Sequence, residues 1–426
     1  MTKRLIAMRH YFYKHLLLPA MLLFCSAAIA QQYTVISGSI EDSYSGAPLQ
    51  YASVNLKGSS ISTVSNKDGK FTFKIPSESA SDSIMVSFLG YMNLTVPVAD
   101  FNPKKTKRLK LQPSTLDIRS ITIRGGDAAE LFKSAFSFQS VRNNYLLQSR
   151  GMSGFYREMI KKGNRYLSLS EAVVDIMKQS YASSMGDNIA IYKGRGNTNR
   201  NASDTLFLQL QGGPVTTLLM DIVKDPFIGT DMISATDYYE FTMGPMMFMD
   251  DLNIYTIDFK QVPQSNEILF RGRIFVESQT LAIVKIEFAM NVEKRKDAWK
   301  TFVRKKPDDM QLEVDWAKYQ VNYKQHEDKW YMDYARIDLR FSGKYKGKLL
   351  RNKYDITTEL AITDIDNPDA LKIPSANRFR MKDVLQKKVA DFEDANFWED
   401  YNIIEPDEKI ENIINRIVRQ LKKERD

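Results

Sequence analysis

The sequence is poor in two side chains on which many enzyme sites depend. Its 426 residues include one cysteine, Cys25, and three histidines, His10, His15 and His326. A serine or cysteine nucleophile needs a neighbouring base, and a catalytic zinc generally needs about three protein ligands. Because Cys25, His10 and His15 precede residue 31, the remainder has a single imidazole and no thiol. We predict a protein without catalytic residues, metal, cofactor or disulfides.

Residues 1–30 have the pattern of a cleavable export signal. A short apolar run follows four basic residues and ends at Ala28-Ile29-Ala30, an A-x-A cleavage site. The run is shorter than the roughly 20 apolar residues that span a bilayer. Phe24 stands before Cys25, where a lipoprotein signal would have a small residue. We predict removal of residues 1–30, no transmembrane segment afterwards, and a location in the periplasm or at the periphery of the outer membrane.

The charges of the chain are nearly balanced. There are 60 lysines and arginines against 52 aspartates and glutamates, a net charge of +8, which falls to +4 without the basic signal. So small a charge on so long a chain argues against a nucleic-acid partner. With 43% hydrophobic residues the chain can bury substantial cores, and its length indicates two or three domains.

Short β-rich runs separated by turn residues fill the segment from Tyr33 to Arg124. Phe71–Ile75 and Arg119–Ile123 alternate apolar and polar side chains, which is the period of half-buried strands. Between such runs, Ser45–Pro48 and Asn66–Gly69 have the chemistry of turns in which glycine adopts an unusual φ. Short strands at this spacing predict an antiparallel β-sandwich.

Five motifs in this segment resemble the carboxypeptidase-regulatory-like, transthyretin-like domain: Gly38-x-Ile40-x-Asp42, Ser45-Gly46-Ala47-Pro48-Leu49, Ala52-Ser53-Val54-x-Leu56-x-Gly58, Asp68-Gly69-x-Phe71 and Ser87-Phe88-Leu89-Gly90-Tyr91. The resemblance continues in residues 121–128, 154–158 and 397–406. It implies a seven-stranded transthyretin-like sandwich over residues 31–116 of an exported Bacteroidota protein. Zinc carboxypeptidases hold their metal with two histidines and a glutamate. The sequence after residue 30 has one histidine, His326, and so cannot supply this set of ligands. The resemblance is therefore to the accessory sandwich and not to the enzyme.

The rest of the sequence predicts a linker and a larger α+β domain. Residues 117–145 are predicted to form a linker strand and an amphipathic helix, 146–366 an antiparallel sheet, and 367–426 an extension with an amphipathic helix over 406–424. The polar segment Lys193–Asp204 is predicted to be a mobile loop, and residues 214–224 a helix. Six long strands are predicted: Asn253–Val262, Glu267–Glu277, Ala282–Met290, Met310–Tyr323, Lys329–Phe341 and Leu349–Ile362.

These long strands suggest one curved antiparallel sheet with a helix over one face. Arg271–Glu277 followed by Leu281–Ile286 resembles a hairpin of the lipoprotein-carrier half-barrels. That resemblance implies an apolar groove that shelters an acyl chain, whereas the alternative is that the same residues fill the space beneath the helix. An outer-membrane barrel is a further alternative, against which the predicted C-terminal helix argues.

Aromatic residues provide the candidate binding site. Trp330 and Tyr334 are predicted to share one strand face with Met332, while Tyr331 lies on the other face. Core packing is the alternative role for these side chains. Asp-Ser/Thr-apolar triplets predict O-glycosylation at Thr205 and Ser83.

Three functions remain open. The leading hypothesis is a non-catalytic exported binding or scaffold protein, whose sandwich docks to an envelope protein through strand pairing. The second is a lipid or lipoprotein carrier. The third is a carboxylate-dependent glycoside hydrolase, suggested by acid pairs that are also common in solvated loops: Asp250/Asp251, Asp308/Asp309 and Asp364/Asp366. A lipid or a glycan is the expected type of ligand.

Overall fold

The structure, a computed structural model, describes residues 33–79, 81–114, 128–163, 165–198, 212–226, 235–263, 267–293, 295–303, 306–389, 398, 401–407 and 410–415. The predicted signal, the predicted linker strand, Thr205 and most of the predicted C-terminal helix lie outside these residues. Within them the chain is mainly β, as predicted. No helix of the described part is long and apolar enough to cross a membrane.

Seven strands form two small sheets: β1 (Tyr33–Asp42), β2 (Ser53–Leu56), β3 (Ser62–Val64), β4 (Lys70–Pro76), β5 (Ser83–Ser87), β6 (Leu94–Pro97) and β7 (Lys107–Leu111). The sheet orders are β4-β1-β7 and β3-β2-β5-β6. This confirms the predicted sandwich, with one difference. β1 and β7 run parallel, because the chain passes through the second sheet before it returns to β1, and such a crossover permits parallel neighbours.

The alternation of side chains along these strands builds the sandwich core. Ile36 and Ile40 of β1 and Phe71, Phe73 and Ile75 of β4 are at most 1% exposed, and they pack against apolar side chains of the second sheet. Each such burial contributes about 1.5–3 kcal/mol. The sandwich is therefore held by its core without disulfides.

Two glycines of the predicted turns allow a controlled test of this packing. Gly69 has φ +71°, and a Cβ there would lie 2.6 Å from the carbonyl oxygen of Ile40. Gly46 has φ +69°, but a Cβ there meets nothing within 4 Å. We expect Gly69→Ala to lower the free energy of unfolding by about 2–3 kcal/mol and Gly46→Ala by about 1 kcal/mol, measured by urea denaturation. Equal losses would contradict the steric argument.

Eleven further strands form one sheet: β8 (Arg150–Lys162), β9 (Arg165–Lys178), β10 (Asn188–Thr198), β11 (Tyr239–Met243), β12 (Met247–Met249), β13 (Leu252–Gln261), β14 (Phe270–Glu277), β15 (Ile283–Met290), β16 (Met310–His326), β17 (Lys329–Tyr345) and β18 (Asn352–Asp364). Their order is β10-β9-β8-β18-β17-β16-β15-β14-β13-β11, and β12 also pairs with β13. All these pairings are antiparallel. The six predicted long strands correspond to β13–β18.

β10 occupies part of the segment that the sequence predicts to be a mobile loop. Its residues up to Thr198 pair with β9, and Arg195 forms an ion pair of 2.8 Å with Glu171 on that strand. A Cβ at Gly194 would lie 2.4 Å from Cγ1 of Val389. The glycine therefore serves close packing against the strand, and the loop prediction is wrong for residues 193–198.

The described residues that precede β13 include four short helices: α1 (Ala128–Ala135), α2 (Phe138–Asn144), α3 (Gly213–Leu218) and α4 (Ala235–Tyr238). The single helix predicted before β8 is divided into α1 and α2, because Oγ of Ser137 accepts a hydrogen bond from the Ser140 amide and starts a new helix. α3 is shorter than the predicted helix over 214–224. Residues 410–415 are helical, and the Asp407 side chain caps them through the Ile410 amide at 2.8 Å.

The two faces of the large sheet differ in chemistry. On β17, Ile337 and Leu339 point to one side, called here the inner face, while Arg336 and Asp338 point to the other, called the outer face. The inner face is apolar and packs against the helices. The outer face is charged, and part of it lies beneath the sandwich.

The sandwich contacts the outer face through side chains and through the C-terminal segment. The ring of Tyr51 stacks on Tyr334 with centroids 5.1 Å apart, and Oγ of Ser62 donates to the Ile362 carbonyl at 3.1 Å. Asn402 accepts from the Lys74 amide at 2.8 Å and donates to the Lys74 carbonyl at 3.0 Å. The edge strands β3 and β4 are therefore occupied by contacts within the same chain.

Candidate functional site

An apolar cavity of about 420 Å³ lies between the inner face and the segment that contains α3. Pockets for small molecules are typically about 300–1,000 Å³ and mostly apolar. The cavity is assembled from distant parts of the chain, since β8, β14, β15, β16, β17 and β18 all contribute to it. Its apolar lining includes Leu219, Met220, Phe270, Phe288, Met290, Phe302, Tyr319, Ile337, Leu339, Ile356 and Met381.

Asp221 fixes the segment Gly213–Asp225, called here the covering segment, in place over the sheet. Its side chain is 0% exposed. Oδ2 accepts from Nζ of Lys178 at 2.6 Å and from the Tyr181 hydroxyl at 2.7 Å, and Oδ1 accepts from the Tyr323 hydroxyl at 2.9 Å. Lys178 also pairs with Asp187 at 2.7 Å. Burial opposes the charge on Lys178, but Asp221 and Asp187 outweigh burial and raise the pKa of this lysine.

One carboxyl group lies in the apolar floor of the cavity. Glu158 of β8 pairs with Ser170 of β9 and with Thr358 of β18, so these three side chains form a polar row across the inner face. The Tyr156 hydroxyl donates to Oε2 of Glu158 at 3.2 Å. The hydroxyls of Ser170 and Thr358 make no hydrogen bond of good geometry to any described residue. The row therefore has unused hydrogen-bonding capacity.

The surroundings of Glu158 disfavour its charged form. The side chain is 7% exposed, and burial raises its pKa to about 7, against a smaller opposing effect of the Tyr156 hydroxyl. No lysine, arginine or histidine is among the described lining residues. Asp225 at the cavity mouth is also an acid, and although its side chain is exposed, partial desolvation of its carboxyl group, followed by the repulsion of Asp221, raises its pKa. The cavity thus combines an apolar lining with acidic groups.

A charged network lies on the opposite side of the sheet. Nε of Arg157 donates to Glu171 at 2.8 Å, and its Nη1 donates to Glu359 at 3.1 Å. Its Nη2 donates to the Ile404 carbonyl at 2.7 Å. Burial opposes the charge of Glu171, but Arg157 and Arg195 outweigh it and hold the pKa below the ordinary value. These groups satisfy one another, so we assign the network to structure.

A second cleft, of about 430 Å³, separates the sandwich from the sheet. Asp333 in this cleft is 3% exposed, and its carboxylate accepts from Oγ of Ser53 at 3.5 Å. Burial raises the pKa of Asp333 against the attraction of Lys324, and burial lowers the pKa of Lys324 against the attraction of Asp333. The walls of the cleft belong to both domains. We therefore attribute the burial of Asp333 and Lys324 to the packing of the sandwich against the sheet.

The two predicted binding residues are not brought together. Trp330 is 4% exposed and lines the cleft between the domains. Tyr334 is 0% exposed, and its hydroxyl donates to Glu359 at 3.1 Å. Met332 pairs with Tyr323 but Tyr334 pairs with Asn322, so a bulge at Asp333 puts Met332 and Tyr334 on opposite faces. The predicted alternation across this stretch is therefore wrong.

The predicted O-glycosylation residues lie in different situations. Ser83 starts β5, is partly buried, and pairs with Pro97. Thr205 lies outside the described residues. Glycosylation at either residue stays a prediction.

Neither Glu158 nor Asp221 was predicted from the sequence as a site residue. Glu158 lies two residues after Tyr156 on the same strand, and this spacing would indicate a buried acid only if the buried face of the strand were known. In β8 both faces are largely buried. Within the described part of the chain no group of three or more histidine, cysteine, aspartate or glutamate residues could hold a metal ion.

The fold is that of a small β-sandwich followed by one large antiparallel sheet. Residues 36–123 match the model of the CarboxypepD_reg-like domain, which supports the predicted identity of the sandwich. No curated protein matches the chain.

Two solved structures show a limited likeness to this chain. A LolA superfamily protein from Nitrosomonas europaea is 8% identical, with 58% of this chain and 98% of that chain covered and a TM-score of 0.20. A DUF1329 family protein from Desulfovibrio piger is 12% identical, with 59% of this chain and 100% of that chain covered and a TM-score of 0.24.

Proposed function

We propose that this chain is a non-catalytic, exported binding protein that carries an apolar ligand between its large sheet and the covering segment. The observation that carries the proposal is the cavity of about 420 Å³ with its predominantly apolar lining. An apolar ligand gains free energy from such a site in proportion to the apolar area that leaves water, about 25 cal/mol per Å². The export signal pattern of residues 1–30 supports a periplasmic or outer-membrane-associated location.

The sandwich has a docking role within the chain under this proposal. The edges of β3 and β4 contact the large domain and the C-terminal segment. On the remaining edges, β7 carries Lys107, Arg108 and Lys110 and β6 ends at Pro97, which are features that discourage strand addition. An envelope partner would then bind a face rather than extend a sheet.

Met290→Trp is the direct test of the cavity. The indole would occupy space that the ligand needs, and we expect binding of the neutral fluorescent probe N-phenylnaphthylamine to weaken at least about tenfold, or about 1.4 kcal/mol. Met185 is 60% exposed and is not among the lining residues, so Met185→Trp is the matched control and should bind as the parent chain does. Equal binding by Met290→Trp and Met185→Trp would contradict the proposal.

A further inference from the structure

Two members of the polar row, Glu158 and Thr358, line the cavity, and they suggest what kind of ligand the site prefers. Glu158 is the central member, Ser170 and Thr358 flank it on neighbouring strands, and all three are at least nine-tenths buried. An apolar core of this size could be closed more cheaply by aliphatic side chains, since a buried polar group without partners costs about 1–3 kcal/mol. The row is therefore unexplained by packing.

The side chains of the polar row could form more hydrogen bonds than they do. Among the described residues, the Tyr156 hydroxyl is the donor to Glu158, although a carboxylate has room for about four donors. Thr217 of α3 and Thr358 lie close to the Tyr156 hydroxyl, but neither makes a hydrogen bond of good geometry to a described group. The carboxylate can therefore accept further hydrogen bonds, and the hydroxyl groups can both donate and accept them.

The charges around the cavity distinguish between possible head groups. Its described lining contains two acids, Glu158 and Asp225, and no basic residue. A fatty-acid anion would bring a second negative charge next to Glu158 in surroundings of low dielectric constant, where repulsion between like charges is large. A cationic amine would instead form a charge-assisted hydrogen bond with the carboxylate.

We propose that the cavity takes a single-chain amphiphile with a cationic amine head, which Glu158 binds with the help of Thr358, while the alkyl chain lies among the apolar lining residues. This inference rests on the proposed function, since it needs the apolar part of the cavity to bind a chain. Glu158 is then the residue that determines which head group is accepted.

Three amphiphiles of equal chain length test the inference, namely dodecylamine, dodecanol and dodecanoate, each titrated below its micelle concentration at about pH 8 against the full chain. We expect dodecylamine to bind at least about tenfold more tightly than dodecanoate, with dodecanol between them. Glu158→Gln keeps the shape but removes the charge, and it should abolish the preference for the amine, so that dodecylamine binds no more tightly than dodecanol.

Glu287→Gln is the matched control, because Glu287 is an exposed acid on the outer face and its replacement changes the net charge equally. If Glu287→Gln removes the preference as Glu158→Gln does, or if dodecanoate binds the parent chain as tightly as dodecylamine does, the role of Glu158 is overturned. Binding of all three amphiphiles with equal affinity refutes this inference alone. Failure of all three to bind refutes the proposed function as well.

Discussion

Asp221→Ala should lower the free energy of unfolding by about 3–4 kcal/mol, because removal of one partner from a buried ion pair leaves polar groups without compensation. Asp221 accepts hydrogen bonds from Lys178, Tyr181 and Tyr323. Its loss leaves both tyrosine hydroxyls without this acceptor and Lys178 with Asp187 as its remaining ion-pair partner. Urea denaturation followed by circular dichroism measures the effect.

A control for this prediction lies four residues away. Asp225 belongs to the same covering segment but is exposed, and Asp225→Ala should change stability by about 0.5 kcal/mol or less. Because Asp221 fixes the covering segment, Asp221→Ala should also weaken binding of the fluorescent probe. A loss of stability below about 1 kcal/mol for Asp221→Ala would show that the buried cluster does not hold this segment.

Glu158→Gln should stabilise the protein at about pH 8 and leave its stability nearly unchanged at about pH 4. Burial raises the pKa of Glu158 from 4.5 to about 7. Between these values the folded state keeps a proton that the unfolded state has released, so the stability of the parent chain falls as pH rises. The full effect, reached above the folded pKa, is about 3 kcal/mol, since each unit of difference corresponds to about 1.36 kcal/mol.

The quantity to compare is the difference in unfolding free energy between Glu158→Gln and the parent chain at each pH. It should grow by about 3 kcal/mol from about pH 4 to about pH 8. Glu287→Gln, which removes an exposed acid paired with Lys285, should show a change of less than about 1 kcal/mol. A flat difference for Glu158→Gln would mean that the carboxyl group is not held in an apolar environment.

The sandwich and the strands β13–β18 were predictable because their signals are local. Alternation in Phe71–Ile75, glycine turns such as that ending at Gly69, and long strands joined by short connections all depend on residues close in sequence. For the hairpin formed by β14 and β15, the sequence left two interpretations open, an apolar groove and apolar residues that fill the space beneath a helix. What these signals predict is the class of fold and the existence of one buried face.

The site itself depends on pairings between distant residues, which periodicity does not contain. Glu158 meets Thr358 because β18 returns beside β8, and nothing in either strand alone indicates that neighbour. The bulge at Asp333 reverses the facing of the next residues, so an alternation read through Trp330 and Tyr334 fails there. β10 was missed because Gly194, which looks like a loop residue, allows close packing of Val389.

Native mass spectrometry of the full chain, purified without detergent and mixed separately with dodecylamine, dodecanol and dodecanoate, tests the central claim most directly. We expect a single bound amphiphile on the parent chain and on Met185→Trp, and a strongly reduced amount on Met290→Trp. A parent chain that stays empty with all three amphiphiles, or equal loading of Met290→Trp and Met185→Trp, would contradict the claim that the cavity between the inner face and the covering segment is a binding site.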